Sequence, residues 1–288
     1  MRRFIAIVIA GLLAAALYGC CHREPGFIKV QPQAKKYDLV LLHGLTNKHR
    51  WSQAFLDVLL TIWGSGRVYL VYTNHPEHIH QRTIAGRRLT CAGDDDFSAG
   101  DDSIEVQAKR LAAAVERLQK DYGLGRPFSI IAHSMGGLVA RRFIYLRPGA
   151  VAGLVTLGTP HQGSPLADSC TWAGYFIGAT DAIADLRPKR VHRFNLRYPV
   201  QGAPLAAGGK VYTVRGGCPG GYCFGWGGEL VAGWSILKSF YHAENDGMVP
   251  WGSAVITGAV HIADYPHHDH YQLVRDPRVA LEVSRYLP

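Results

Sequence analysis

Two rhythms of apolar and polar positions alternate along this chain. Short unbroken apolar runs occupy residues 38–43, 67–72, 128–132, 151–157 and 210–215, and each ends at a small or polar residue. Between them lie stretches whose apolar residues recur every three or four places: 51–63, 103–122 and 136–146, with a last one from Asp276-Pro277 to about Tyr286. Continuous short runs predict strands buried on both faces, and the longer period predicts helices covering them. Asp102 and Glu105 read as a capping box for the helix over 103–122, and Pro277 suits the first turn of the last helix. The alternation predicts an α/β fold, a doubly wound and mostly parallel sheet. Residues 73–101 are polar and glycine-rich without a period, which predicts a long surface excursion. Residues 165–205 lack strand rhythm and fall between two strands, which predicts an inserted helical cap.

The first 37 residues break this pattern. Arg2 and Arg3 precede an apolar run from Phe4 to Leu17, followed by Tyr18-Gly19-Cys20. A basic start, a short apolar segment and a small residue before a break describe an export signal over 1–19. The run is shorter than the roughly 20 residues of a spanning helix. Leu17-Tyr18-Gly19-Cys20 resembles a bacterial lipobox, in which the cysteine is acylated and becomes the first mature residue. Simple secretion and an uncleaved anchor are the alternatives. On the lipoprotein reading, 20–37 is a tether, 38–288 is the folded α/β domain, and the protein is exported and held on a membrane of the bacterial cell envelope through Cys20.

Export bears on the remaining cysteines. Cys91, Cys170, Cys218 and Cys223 form an even set, which in an oxidising compartment favours disulfides. Cys218 and Cys223 bracket Pro-Gly-Gly-Tyr and suit a local loop, which leaves Cys91 with Cys170. No C-x-x-C spacing exists, so a structural zinc is not expected. The formal charge of +9 favours anionic surfaces. No basic run exceeds a few residues, so nucleic-acid binding finds no support.

Candidate chemistry gathers where predicted strands end, as it does in doubly wound sheets. Ala132-His133-Ser134-Met135-Gly136 stands between a buried strand and an amphipathic helix. It is a G-x-S-x-G turn with alanine for the first glycine, and such a turn exposes a serine nucleophile. A helix-capping serine is the bland alternative. A serine hydroxyl needs a base, expected after the acid in chain order. His270 precedes the last helix and is the first choice, with His267, His268 and His261 behind it. Asp246, in Glu244-Asn245-Asp246-Gly247, is the expected acid, and Glu244 is the substitute. Two backbone N–H groups should receive the developing oxyanion: Met135 after the nucleophile, and Leu45 in the loop His43-Gly44-Leu45-Thr46. The histidines at 75, 78 and 80 read as a polar loop rather than a metal site, and this chemistry requires no cofactor.

LVLLHGL (39–45), AHSMGGLVAR (132–141), LVTLGTPHQGS (154–164), ENDGMVP (244–250) and HYQLVRDPRV (270–279) together carry a resemblance. The chain resembles bacterial serine lipases and esterases of the α/β-hydrolase fold. It is also similar to the deacylases that remove an acyl chain from inositol phospholipid anchors. The resemblance implies a Ser134–Asp246–His270 triad, Leu45 and Met135 as oxyanion donors, and an acyl-ester or lipid substrate. Several such lipases bind calcium through an acidic residue soon after the histidine. Tyr271 and Gln272 stand there in this chain, so that site is not expected. Leu166, Trp172, Tyr175, Phe176 and Ile177 are candidates to line the cap. A short-chain esterase, thioesterase or amidase with the same triad, and a non-catalytic lipid-binding lipoprotein, are the competing readings.

Overall fold

The computed structural model describes residues 25–46, 50–169, 178–218 and 228–288. The signal, Cys20, Cys170, Cys223, Trp172, Tyr175, Phe176 and Ile177 lie outside the described residues. One eight-stranded sheet organises the rest, in the order β3-β4-β2-β1-β5-β6-β7-β8. The strands are β1 (Leu39–Leu42), β2 (Val68–Val71), β3 (Ile79–Ile84), β4 (Arg87–Ala92), β5 (Phe128–His133), β6 (Val151–Leu157), β7 (Lys210–Gly216) and β8 (Val260–Tyr265). All neighbours pair in parallel except β3 with β4.

Period two sorts the central strands between two helical layers. Val40 and Leu42 face the layer of α2 (Ile104–Asp121) and α3 (Met135–Leu146). Leu39 and Leu41 face α1 (Gln53–Trp63) and α8 (Pro277–Ser284), which pack on each other. Both faces are covered, so these strands tolerate no polar alternation and read as continuous apolar runs. Helix α1 starts where Ser52 Oγ accepts the Phe55 N–H at 3.0 Å and donates to the Arg275 carbonyl at 2.6 Å.

Four sequence expectations change. Residues 73–101 are no loose excursion, because 79–92 form the β3–β4 hairpin that extends the sheet edge beside β2. Its turn, Ala85-Gly86, has φ of 46° and 79°, the left-handed pair that two-residue hairpins need. An edge strand facing water keeps polar residues, and that hid it from an apolar pattern. The cap of α2 is Ser103, which accepts the Val106 N–H, while Glu105 turns away to Arg142. Cys91 is a free, fully buried thiol in β4, so it forms no bridge with Cys170. Burial pushes that thiol up to about 12. The expected Cys218–Cys223 pair involves Cys223, which lies outside the described residues.

The fourth change is a helix, α7 (Gly228–Tyr241), between β7 and β8. Its apolar residues surround it rather than forming one stripe, so no period announced it. The insertion between β6 and β7 is helical as expected, with α4 (Pro165–Ser169), α5 (Thr180–Asp185) and α6 (Pro188–Arg197). Leu166 of α4 packs on Gly233 of α7. No helix of the described residues is long and apolar enough to cross a membrane.

Leu41 is fully buried at the centre of this sheet. Leu41→Ala should lower the unfolding free energy by about 2–5 kcal/mol in a urea titration. A loss below about 1 kcal/mol would contradict a close-packed centre.

Candidate active site

Strand β5 ends at His133 and α3 opens at Met135, leaving Ser134 alone at the junction with φ 54° and ψ −129°. An L-residue holds such a conformation only where its surroundings enforce it. Here the carboxyl ends of β1, β5 and β6 close around it. Ser134 N–H donates to the Leu157 carbonyl at 2.9 Å. A Cβ on Gly136 would stand 2.2 Å from the His43 carbonyl oxygen, so only glycine lets the two segments meet. Ala132 is completely buried. A methyl group fits where the motif usually has hydrogen. The serine is not the side-chain cap of its helix. Its hydroxyl is engaged elsewhere.

That engagement spans 136 positions. Ser134 Oγ lies 2.8 Å from His270 Nε2, and His270 Nδ1 lies 2.8 Å from Asp246 Oδ2. With Nδ1–H donating to the carboxylate, Nε2 is left as the acceptor of the serine proton. Asp246 Oδ1 accepts the Met248 and Val249 N–H groups at 2.9 and 2.7 Å. The backbone repeats the link, since His270 N–H donates to the Asp246 carbonyl at 2.8 Å. Ser134, His270 and Asp246 are 8%, 4% and 1% exposed, so little water competes for these bonds. Asp246 does not follow a strand directly, as the sequence suggested. Helix α7 intervenes, and a bond from Cys218 N–H to the Asn245 carbonyl returns the loop to the end of β7.

The loop expected to supply Leu45 lies against Ser134: a Cβ on Gly44 would stand 2.7 Å from Ser134 Cβ. Met135 opens α3, so its N–H is an unpaired donor of a helix start. One buried network fixes both segments. His43 Nδ1–H donates to the Gly44 carbonyl at 2.6 Å, and its Nε2 accepts the Thr73 N–H at 2.9 Å. Thr73 donates to Gln107 Oε1 at 2.9 Å, and Gln107 Nε2 reaches the Asp102 carbonyl at 2.6 Å and Met135 Sδ at 3.7 Å. His43 is thus structural, and burial holds it down at about 4. Thr73 and Gln107 escaped the sequence reading. The available signal was a glutamine on the apolar stripe of α2.

The competing residues are occupied. His133 Nε2–H donates to the His270 carbonyl at 2.9 Å, and the two rings lie 4.6 Å apart. Burial, then its histidine neighbour, holds His133 well below the usual histidine range. His268 bonds Asp276 at 2.8 Å, His261 bonds Asp264 at 2.9 Å, and Glu244 pairs with Lys238. His267 is exposed. Asp269 Oδ1 accepts the Tyr271 and Gln272 N–H groups at 2.9 Å, bracing the turn behind His270. His75 and His78 sit on Glu77 and Asp94 at the surface. Among the described residues, no three metal-ligating side chains converge.

The cap is bolted to the helix that Ser134 opens. Arg141, two turns along α3 and 2% exposed, reaches Asn195 Oδ1 at 2.9 Å and the Tyr198 carbonyl at 2.6 Å. Its guanidinium lies 5.1 Å from the Phe194 ring centre. It also faces His161 Nδ1 at 3.4 Å, whose Nε2–H donates to Thr156 Oγ1 at 3.0 Å. Burial lowers Arg141 to about 10 and holds His161 well below its usual range.

Residues 87–181 match a family described as a PGAP1-like alpha/beta domain. A triacylglycerol lipase of Pseudarthrobacter phenanthrenivorans is 27% identical over 135 residues, 47% of this chain and 36% of that protein. The phospholipase A(1) LCAT3 of Arabidopsis thaliana is 31% identical over 102 residues, 33% of this chain and 23% of that protein. The matches span about a third or less of these curated relatives. Among solved structures, Bacillus licheniformis lipase BlEst2 in its mature form superposes with a TM-score of 0.61 at 22% identity, covering 91% of this chain and 95% of that one. The fold is that of the α/β-hydrolases.

Three buried histidines give this domain an acid-sensitive stability. His43, His133 and His161 stay neutral when folded, whereas unfolded histidines take up protons near 6.5. Stability should be level above that pH and fall as pH drops from 6.5 towards 4. The slope should reach about 1.4 kcal/mol per pH unit for each histidine. Urea midpoints at several pH values measure it, and a flat profile down to pH 4.5 would refute it.

Proposed function

We propose that the chain is a serine carboxylic ester hydrolase acting on acyl-lipid esters, with Ser134 as nucleophile, His270 as base and Asp246 as its orienting acid. One observation carries the reading: the unbroken Asp246–His270–Ser134 hydrogen-bond chain at the carboxyl edge of the sheet, beside two segments with backbone donors. Ser134 Oγ attacks the acyl carbonyl carbon while His270 Nε2 takes its proton. The tetrahedral oxygen, now negative, takes hydrogen bonds from the Leu45 and Met135 N–H groups. Collapse expels the alcohol, which recovers the proton from His270, and leaves an acyl ester on Ser134. Water, deprotonated by the same imidazole, then releases the fatty acid. Asp246 holds the imidazole in place throughout, its Oδ2 accepting the Nδ1–H and its Oδ1 two backbone N–H groups.

The preference for lipid draws on the lipase and phospholipase relatives and on the helical insertion between β6 and β7. The export segment and the lipobox-like Leu17-Tyr18-Gly19-Cys20 support a lipoprotein held at the cell envelope by acylated Cys20.

Ser134→Ala should abolish labelling by a fluorophosphonate and cut hydrolysis of an acyl-ester series by about 10³-fold or more. Asp246→Asn should keep the fold but lower kcat by about 10³–10⁴-fold, because the wrong imidazole tautomer then faces the serine. Hydrolysis confined to short soluble esters, with none of micellar lipid, would favour the short-chain esterase. Cys20→Ala should move the protein from the membrane to the soluble fraction, and unchanged fractionation would refute the anchor.

A further inference from the structure

Helix α6 buries Val191 and turns Lys189, Arg190, His192, Arg193, Leu196 and Arg197 outward. Between it, the start of α2 and the second half of α3 lies an open trough of about 430 Å³. Four arginines line the trough, Arg142, Arg190, Arg193 and Arg197, against two carboxylates. Both carboxylates are committed. Glu105 holds Arg142 through two bonds at 2.6 and 3.2 Å. Asp185 takes Arg190 at 3.1 Å and the Ile104 N–H at 2.9 Å. Among the described residues, Arg193 and Arg197 have no carboxylate partner, so the trough carries net positive charge. One turn from Arg193 and next to Arg197 in the sequence, outside the trough lining, stands Leu196, 73% exposed and the most exposed large apolar side chain described.

Unneutralised guanidinium groups bind phosphate oxygens in pairs, and their long apolar stems lie along hydrocarbon while the heads stay wet. A protruding leucine gains nothing from a free anion in water. It gains from the acyl boundary of a bilayer, where basic helices with an apolar tip come to rest. The α2 wall of the trough starts at Ile104, four residues after Gly100, where an added Cβ would stand 2.5 Å from the Gly44 carbonyl oxygen. We propose that α6 docks the protein on anionic phospholipid, with headgroup phosphates on Arg193 and Arg197 and Leu196 among the acyl chains. This deepens the acyl-lipid reading of the site and rests on it for its purpose, and its test is independent of catalysis.

The test uses the full chain carrying Ser134→Ala, floated with vesicles of phosphatidylcholine alone or with roughly 30 mol% phosphatidylglycerol. Any affinity of the N-terminal segment is common to all variants, so the ratio of the two affinities isolates the charge effect. The parent should prefer the anionic vesicles by about tenfold or more, and salt should erode the preference. Arg193→Glu with Arg197→Glu should abolish that ratio, and Leu196→Asp should reduce it. Lys29→Glu with Lys120→Glu, which changes the net charge equally at distant exposed sites, should leave the ratio in place. Melting curves check folding, and Arg193→Gln with Arg197→Gln serves if the reversal misfolds. A parent with no anionic preference, trough variants that keep it, or a distant pair that loses it equally would each overturn the proposal. Soluble-ester hydrolysis by the trough variants with Ser134 intact should stay within about twofold, so a failure of the hydrolase reading appears there and a failure of docking appears in the vesicle ratio.

Discussion

Everything at the reacting edge depends on how closely β1, β5 and β6 approach at their carboxyl ends. Ser134 accepts a strained left-handed backbone because Leu157 holds its N–H from one side and the His43-Gly44 segment presses from the other. The strain turns the hydroxyl away from the helix it opens and towards a histidine 136 residues later. Larger side chains at 44 or 136 would push the strands apart and release that strain. The glycines thus matter through the closeness they permit rather than through flexibility.

The acid and base come from a less regular part of the fold, and redundant local bonds supply their precision. Asp246 is fixed by the N–H groups of Met248 and Val249, His270 by the turn around Asp269, and the two are tied together by both backbone and side chain. Loops braced this way need no strand to position them. That is why an acid separated from β7 by a whole helix still meets its histidine at 2.8 Å.

The central strands, the serine turn and the meeting of Ser134, His270 and Asp246 were legible in the sequence, because burial on both faces and fixed turn chemistry leave few residue choices. What escaped had weaker signatures. The outer strand of the β3–β4 hairpin is an edge facing water, so its middle residues are polar instead of running apolar. Helix α7 is nearly all apolar and shows no stripe. Thr73, Gln107 and Arg141 each reach a partner 30 or more residues away, and no local pattern can report such bonds. The Cys91 pairing failed for a related reason: cysteine counting cannot see that a thiol lies inside a sheet.

The bond set of Arg141 limits how far the cap can be treated as a separable module. The guanidinium of Arg141, a residue 2% exposed, donates hydrogen bonds to Asn195 Oδ1 and the Tyr198 carbonyl, both contributed by the insertion. Exchanging this insertion for that of a relative would strand a buried charge on the helix that begins at the nucleophile. Any graft that retains Arg141 must therefore import an amide and a carbonyl at the same two places. Otherwise the arginine and its histidine neighbour at 161 have to be redesigned with it.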